Sequence, residues 1–313
     1  MARGNWTRVE EFILMSFSSL PTEIQSLLFL TFLIIYLVTL MGNSLIILVT
    51  LADPMLHSPM YFFLRNLSFL EIGFNLVIVP KMLGTLLAWD TTISFLGCAT
   101  QMYFFFFFGG AECFLLATMA YDRYVAICSP LHYTVIMSQR TRAKLAIASR
   151  FPGFPVATVQ TTWLFSFPFC GTNKVNHFFC DSPPVLRLVC ADTALFEIYA
   201  IVGTILVVMI PCLPILRSYT CIAAAILKIP FHKAFSTCSS HLLVVSLFYV
   251  SLSLTYFRPK SKNSPESNKL LSLSYTVVTP MLNPIIYSLR KNEVKNALGR
   301  TFRKALDLRN CIP

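Results

Sequence analysis

The chain has 313 residues, of which 56% are hydrophobic and only 12% are charged, and its net charge is +11. An average soluble domain carries about 25% charged residues, so a charged fraction half as large excludes an ordinary water-soluble protein and indicates a chain that sits in lipid. In a membrane protein we interpret the positive charge as a signal of orientation and lipid contact. No basic stretch is interleaved with aromatic residues in the way that would indicate nucleic-acid binding.

Seven apolar segments are long enough to cross a membrane as helices, because about 18 or more apolar residues span the ~30 Å hydrocarbon core. In chain order, the predicted spans one to seven are Ile24–Ala52, Ser58–Pro80, Thr91–Tyr121, Phe151–Asn173, Ile198–Leu216, Ala234–Phe257 and Leu270–Leu289. The sequence therefore predicts an all-α membrane protein, a seven-transmembrane helix bundle formed by residues 1–313 as one domain, with a short amphipathic eighth helix.

The N-terminal segment is expected to lie outside the cell. Lysine and arginine concentrate on the cytoplasmic side of membrane proteins, and most of the 25 lysines and arginines lie inside if the N-terminus is outside. This pattern predicts a multi-pass plasma membrane protein with an extracellular N-terminus, residues 1–24, and a cytoplasmic tail, residues 291–313. Asn5 begins an N-glycosylation acceptor pattern, Asn5-Trp6-Thr7, on the predicted outer side.

Two carboxylic acids are predicted near the middle of the membrane. A helix rises about 1.5 Å per residue, which places Glu71 roughly 20 Å from the inner end of span two and Glu112 roughly 21 Å from the outer end of span three. Two close carboxylates do not both ionise cheaply, so they would share a proton or hold a cation between them. The alternative is a pair of neutral, hydrogen-bonded acids that only join helices.

An adjacent acid and base, Asp122 and Arg123, end the long apolar run of span three. Arg123 lies about 37 Å along the helix from Cys98, which places it at the inner edge of the membrane. There a partner could reach the pair. The alternative is that Arg123 simply extends its charge to water at a helix end.

Four of the ten cysteines are predicted on the outer side: Cys98 at the start of span three, and Cys170, Cys180 and Cys190 between spans four and five. Disulfides persist on that oxidising side, and four cysteines allow three pairings that the sequence alone does not separate. The even spacing argues against a zinc site. Cys311, near the basic tail, is either palmitoylated or unmodified.

Span seven contains the segment PMLNPIIYSLR, Pro280–Arg290. Each proline removes a backbone hydrogen bond and kinks the helix, and a neighbouring polar group such as Asn283 can satisfy a freed carbonyl. A kinked helix with a polar hinge suits a helix bundle that can change between two packing arrangements.

Five motifs occur in order along the chain: LHSPMYFFL (Leu56–Leu64), MAYDRYVAIC (Met119–Cys128), SY (Ser218-Tyr219), KAFSTCSSHL (Lys233–Leu242) and PMLNPIIYSLR. With them, nearly the whole chain resembles the rhodopsin-like G-protein-coupled receptors, and within these the olfactory receptors of the tetrapod, family-10 kind. An isolated Asp-Arg-Tyr triplet would be a weak signal, whereas five motifs spread over seven spans are specific. Glu71 stands where many relatives carry Asp.

The resemblance implies roles for several residues. The inner switch that engages a G protein would comprise Asp122, Arg123, Tyr124, Tyr219 and Tyr287. A polar or sodium-binding centre would comprise Asn43, Glu71, Glu112 and Asn283. The implied disulfides are Cys98–Cys180 and Cys170–Cys190. The implied partners are a small neutral odorant, membrane lipid and a heterotrimeric G protein of the stimulatory olfactory type, which raises cyclic AMP.

The expected ligand pocket lies in the outer half of the bundle and carries no formal charge, which favours small neutral molecules. The candidate lining is Phe105, Phe106, Gly109, Gly110, Gly203, Thr204, Val207, Tyr249, Leu252, Ser253, Tyr256 and Thr276. Tyr249 is expected at the floor. At most two of the five consecutive phenylalanines in span three can point inward. Span seven contains no lysine, which excludes a retinal Schiff base.

Three departures from the family pattern suggest an alternative, a copy that folds or signals poorly. Arg150 stands where the family usually has Trp, Arg217 is an unusual charge in span five, and the third inner loop, Leu227–Phe235, is short. A transporter is a further alternative, but the sequence lacks the internal repeats that many transporters show. No catalytic constellation appears, so we do not expect an enzyme.

Overall fold

The computed structural model describes residues 9–87, 90–228, 232–256 and 265–286, together with residues 296, 299 and 300. Four earlier assignments lie outside these residues: the glycosylation acceptor Asn5, the switch residue Tyr287, the tail cysteine Cys311 and most of the predicted eighth helix. Each of them stays a prediction.

The described helices follow the seven predicted spans. Their bounds are Thr22–Ala52 for span one, Pro59–Leu86 for span two, Phe95–Cys128 for span three, Gln139–Arg150 and Gly153–Ser166 for span four, Ala194–Lys228 for span five, His232–Tyr256 for span six, and Pro265–Leu273, Ser274–Val278 and Thr279–Pro284 for span seven. Within the described residues, spans one, two, three and five are each long and apolar enough to cross a membrane, and span six contains the shorter apolar helix His241–Leu254. The prediction of a seven-helix bundle is confirmed.

Spans four and seven are interrupted where proline removes a backbone donor. Span four breaks between Arg150 and Gly153, beside Pro152. In span seven the turn before Pro280 widens into a π-helix, Ser274–Val278, and such a local widening lets a membrane helix accommodate proline. The backbone N–H and the hydroxyl of Thr279 both donate to the Ser274 carbonyl. Thr279 therefore satisfies a carbonyl in this hinge, a role for which we had expected Asn283.

A small β-sheet closes one end of the bundle, which we call the outer end. Strand β1 (Glu11–Leu14) lies in the middle, antiparallel to β2 (Thr92–Ser94) and parallel to β3 (Lys174–Val175). On β1, Phe12 and Leu14 are buried. The Phe12 ring packs edge-on against Phe169 with 5.4 Å between ring centres. The sequence analysis did not predict this sheet, because its strands are only two to four residues long and come from distant parts of the chain.

Both disulfides lie at the same end. Cys98 pairs with Cys180, with 5.5 Å between their Cα atoms, and Cys170 pairs with Cys190, with 5.9 Å between theirs. The first bridge attaches the segment between spans four and five to the start of span three. The structure thus selects one of the three pairings that the sequence left open, and it is the pairing that the family resemblance implied.

Arg150, the first departure from the family pattern, has partners within the fold. Its guanidinium donates to the side-chain oxygen of Asn66 in span two over 2.7 Å and to the carbonyl of Ala146 over 3.3 Å. The guanidinium of Arg150 therefore links span four to span two through this hydrogen bond. Arg217 is exposed on span five, where it does not disturb the interior.

We predict that replacing Asn66 by Leu destabilises the protein by about 1.5–3 kcal/mol, because Arg150 then loses a charge-assisted hydrogen bond. The double variant Asn66→Leu, Arg150→Leu should regain much of this loss, since no charged group is left without a partner. Thermal unfolding of the purified protein in detergent measures both effects. Arg217→Leu is the matched control and should change little. Additive effects of the two substitutions would contradict the coupling.

Candidate functional site

A partly open cavity lies in the outer half of the bundle, enclosed by residues of spans two to seven. Eight of the predicted residues line it: Phe105, Phe106, Gly109, Gly110, Gly203, Thr204, Val207 and Leu252. Of the five consecutive phenylalanines, Phe105 and Phe106 contribute to the lining, which agrees with the helical limit of two.

Sequence reasoning missed eight further lining residues. They are Phe74, Cys113, Gly153, Val156, Gln160, Val208, Phe248 and Tyr275. A signal was available for span four, because Gly153, Val156 and Gln160 follow one another at steps of three and four and so share one face of a helix. It was overlooked because an apolar face of this kind also fits ordinary helix packing.

Three predicted pocket residues are not part of this lining. Tyr249 is buried, and its hydroxyl donates to the Cys113 carbonyl over 3.0 Å. Thr276 is fully buried, and its hydroxyl donates to the Ser272 carbonyl over 2.7 Å. Ser253 is half-buried on span six and is not among the residues that line the cavity. The hydroxyls of Tyr249 and Thr276 serve helix contacts, because a polar group in an apolar interior bonds to an available backbone carbonyl. The side chain of Tyr256 lies outside the described part of the chain.

Glycines let spans three and four approach closely beside the cavity. A Cβ atom on Gly110 would lie 3.0 Å from the Gly153 Cα, and one on Gly153 would lie 2.6 Å from the Phe107 carbonyl oxygen. Gly203 is different: it is buried, yet a Cβ atom there would meet no atom within 4 Å. Its missing side chain is therefore space that belongs to the cavity.

The segment between spans four and five covers the cavity from the outer end. The amide of Gln101 donates to the Val77 carbonyl over 2.9 Å and accepts from the Cys180 backbone N–H over 2.8 Å. Phe178 and Phe179 of this segment are fully buried. The Phe179 ring lies 5.0 Å from the ring of Phe105. The cover is thus anchored to span three by the disulfide Cys98–Cys180 and by the hydrogen bond from Cys180 to Gln101.

Next to this cover, Lys269 and His177 are buried together. The ammonium group of Lys269 donates to the carbonyl of Ser16 and lies 5.9 Å from the ring centre of Phe17. Burial lowers the pKa of His177 to about 3, and the positive charge of Lys269 adds to that shift. His177 is therefore neutral near pH 7. Lys269 joins the N-terminal segment to the start of span seven.

The four residues of the predicted polar centre come together between spans one, two, three and seven. The Asn283 amide donates to Glu71 Oε1, Asn43 lies beside Glu71, and Glu112 is near enough to interact with the Glu71 charge. All four side chains are buried. Within the described residues, one oxygen of each has no hydrogen-bond donor: Asn43 Oδ1, Glu71 Oε2, Glu112 Oε1 and Asn283 Oδ1.

The opposite, inner end carries the Asp-Arg pair. Arg123 Nη2 donates to Asp122 Oδ2 over 2.5 Å, and the Tyr133 hydroxyl donates to Asp122 Oδ1 over 2.9 Å. Asp122 is 1% exposed, and burial next to this carboxylate raises the pKa of Tyr133. The arrangement holds Arg123 against its own helix. The neighbouring Tyr124 is half-buried and packs on the core.

Spans five and six are joined near the same end. The Tyr219 hydroxyl is hydrogen-bonded to Nδ1 of His241, and the two rings stack with 5.9 Å between their centres. His241 is also close enough to Arg123 to interact with its charge. The structure therefore brings Asp122, Arg123 and Tyr219 into one region, and it adds Tyr133 and His241, to which the sequence analysis had given no role in the switch.

This arrangement of helices is the fold of a rhodopsin-like receptor. Among solved structures, squid rhodopsin matches with a TM-score of 0.70 over 92% of this chain and 87% of its own, at 20% sequence identity. At that identity the likeness establishes the fold alone.

The sequence comparisons are more specific. The profile of the family described as "Olfactory receptor" matches residues 32–305. Human olfactory receptor 10A5 is 90% identical over 317 residues, covering all of both chains. Human olfactory receptor 10A2 is 91% identical over 303 residues, covering 96% of this chain and 100% of that protein. Mouse olfactory receptor 5G9 is 49% identical over 309 residues, covering 97% of this chain and 98% of its own.

The chain belongs to the olfactory receptor family. It is a multi-pass membrane receptor and not an enzyme.

The buried neutral His177 makes stability depend on pH. Its pKa in the folded protein, about 3, is lower than the roughly 6.5 of an unfolded histidine, so the unfolded state binds more protons between these values. Stability should therefore fall as the pH decreases below about 6.5, by up to about 1.4 kcal/mol per pH unit from this group. We predict that His177→Gln makes the melting temperature of the purified protein less dependent on pH between pH 7 and pH 5.

The control is His132→Gln, since His132 is exposed on the inner loop. This variant should keep the pH dependence of the parent protein. A His177→Gln curve with the same slope as the parent would show that His177 is not buried in its neutral form.

Proposed function

We propose that this protein is an odorant receptor that binds small, mostly apolar neutral volatile molecules in the cavity between its helices. In this proposal residues 1–313 form one receptor domain in the plasma membrane, with the N-terminus outside and the C-terminus in the cytoplasm. Ligand binding activates a heterotrimeric G protein of the stimulatory olfactory type and raises cyclic AMP. The observation that carries the proposal is a mostly apolar cavity whose described lining has no formal charge and which is connected through span six to the Asp-Arg pair.

Span six supplies the connection in three steps. Phe248 and Leu252 line the cavity. The adjacent Tyr249 bonds to the backbone of span three at Cys113, which makes this contact a pivot. Towards the inner end, His241 bonds to Tyr219 of span five. A ligand that displaces Phe248 would therefore tilt span six about Tyr249 and strain the bond to Tyr219.

At the inner end, the tilt would free Arg123. The guanidinium is held by Asp122, which also accepts from Tyr133, and it faces His241. Outward movement of span six removes the group opposite Arg123, so the guanidinium becomes available to the G protein. Tyr124, Tyr219 and Tyr287 would rearrange around it, as in the role that the family resemblance implies.

Two observations support a folded receptor in a lipid environment. Arg150 is bonded to Asn66, which argues against a copy that misfolds because of this residue. Large apolar side chains such as Leu27, Ile34 and Met41 are exposed along span one, where lipid would cover them.

A cyclic-AMP reporter with an odorant panel tests the proposal. We predict that Gly203→Phe, which fills the cavity, lowers the response by at least about tenfold at equal surface expression, equivalent to roughly 1.4 kcal/mol. Val202→Phe is the matched control, because Val202 is exposed on the same helix and its substitution should leave the response unchanged. Arg123→Ala should abolish the response. Odorant responses that survive Arg123→Ala unchanged would count against the switch assignment.

We also propose that the polar centre holds a sodium ion. Four buried oxygen atoms without donors, on Asn43, Glu71, Glu112 and Asn283, form a set of hard ligands that suits a small cation. Within the described residues, no cluster of three or more His, Cys, Asp or Glu side chains marks a transition-metal site. A cation would compensate the negative charge that two close carboxylates would otherwise repel.

Sodium should therefore raise the melting temperature of the purified receptor, whereas choline at equal concentration should not. Stabilisation grows with the logarithm of ligand concentration above the dissociation constant. Glu71→Gln should remove the sodium dependence, because it removes one charge without a large change in shape. Equal effects of sodium and choline on the parent protein would instead indicate that the two acids share a proton.

A further inference from the structure

The side chain of Gln160 is buried in span four without a protein partner. It is 3% exposed and lines the cavity. It shares a helix face with Gly153 and Val156, which also line the cavity. Throughout the described part of the chain, no hydrogen bond joins the Gln160 amide to another group. The amide therefore faces the empty volume.

A second buried glutamine shows how this chain satisfies such a side chain when its role is structural. The Gln101 amide donates to the Val77 carbonyl and accepts from the Cys180 backbone N–H. Both ends of its amide are used: one joins span three to span two, and the other anchors the outer cover to span three. Gln160 has the same chemistry at the same degree of burial but neither contact.

The other polar groups of the cavity wall are already engaged. The Thr204 hydroxyl donates to the Ala200 carbonyl over 2.8 Å. The Tyr275 hydroxyl donates to Ser272 over 3.3 Å. The thiol of Cys113 is only a weak hydrogen-bonding group. Gln160 is therefore the strongest donor and acceptor that the described cavity wall offers to a bound molecule.

An amide that borders a cavity and has no protein partner bonds to water while the cavity is empty, and it loses those bonds when a ligand displaces the water. A ligand with a polar atom replaces the lost bonds, whereas a ligand without one leaves the amide unpaired. Sites built in this way reject molecules that lack the matching group more strongly than they reject molecules of the wrong size.

We infer that Gln160 is a specificity-determining residue and that the cavity selects neutral molecules with an apolar chain and one oxygen function, an alcohol or a carbonyl compound. This inference rests on the proposed receptor function and specifies its ligand class. The amide N–H of Gln160 donates to the carbonyl or hydroxyl oxygen of the ligand, and its carbonyl accepts from a hydroxyl. The apolar chain lies against Phe105, Val207 and Phe248.

The cavity wall also disfavours two other classes of ligand, hydrocarbons and ions. A hydrocarbon leaves the amide unpaired. A carboxylate or an ammonium ion would enter an uncharged cavity, and such a group needs a counter-charge when it leaves water. Among the described residues that line the cavity, none carries a formal charge.

The experiment compares binding of four probes of equal chain length, octanol, octanal, octane and octanoate, to the purified full-length receptor. Binding is measured as the shift of the melting temperature, a readout that does not involve the G protein. We expect octanol and octanal to bind, and octane and octanoate to bind at least about tenfold more weakly, as one hydrogen bond allows. Gln160→Met keeps the length of the side chain and removes the amide, so it should erase the difference between octanol and octane.

Two controls separate this role from a structural one. Thr162→Val removes a hydroxyl on the exposed face of the same span and should keep the selectivity of the parent. Gln101→Met should lower the melting temperature without probe, whereas Gln160→Met should not, since only Gln101 bonds to the protein.

The outcomes distinguish this inference from the proposed function. Equal binding of octane and octanol to the parent, or selectivity that survives Gln160→Met, would overturn the inference while leaving the receptor function standing. Absence of binding by every probe would also overturn it. Selective binding that depends on Gln160 but produces no cyclic-AMP response in cells would uphold the inference and count against the proposed signalling.

Discussion

A polypeptide in hydrocarbon has no water with which to bond, so every polar group must find a partner inside the protein. This constraint explains the helices, and it also explains their exceptions. Where Pro280 removes a donor, span seven widens and Thr279 bonds to the Ser274 carbonyl. Where Arg150 introduces a charge, Asn66 accepts from it. The hydroxyls of Tyr249 and Thr276 bond to backbone carbonyls for the same reason.

Within the described part of the chain, two sets of polar groups without protein partners have the chemistry to bind something else. The four oxygens of the polar centre lack donors in the described structure, and they cluster around two acids. The Gln160 amide lacks a partner at the wall of the cavity. The first set suits a cation because its atoms are all acceptors, whereas the second suits a neutral ligand because an amide both donates and accepts.

The two ends of the bundle differ in how firmly they are held. At the outer end, two disulfides, the β-sheet and the contact of Lys269 with Ser16 tie distant segments together. At the inner end, the contacts between spans five and six and around Arg123 are side-chain hydrogen bonds. A ligand therefore acts against a rigid outer cover and a more easily opened inner end. This asymmetry suits a transition in which span six pivots and the outer half keeps its shape.

The sequence by itself determined the number of spans, the position of the Asp-Arg pair and the depth of Glu71 and Glu112. Those features depend on local composition and on the fixed rise of a helix, which a sequence displays directly. Only the tertiary structure decided that the strand containing Phe12 forms the middle of a β-sheet, that Arg150 bonds to Asn66, and that Gln160 rather than Thr276 lines the cavity. Such facts depend on how helices rotate and pack against one another, and residues far apart in the chain set that rotation jointly.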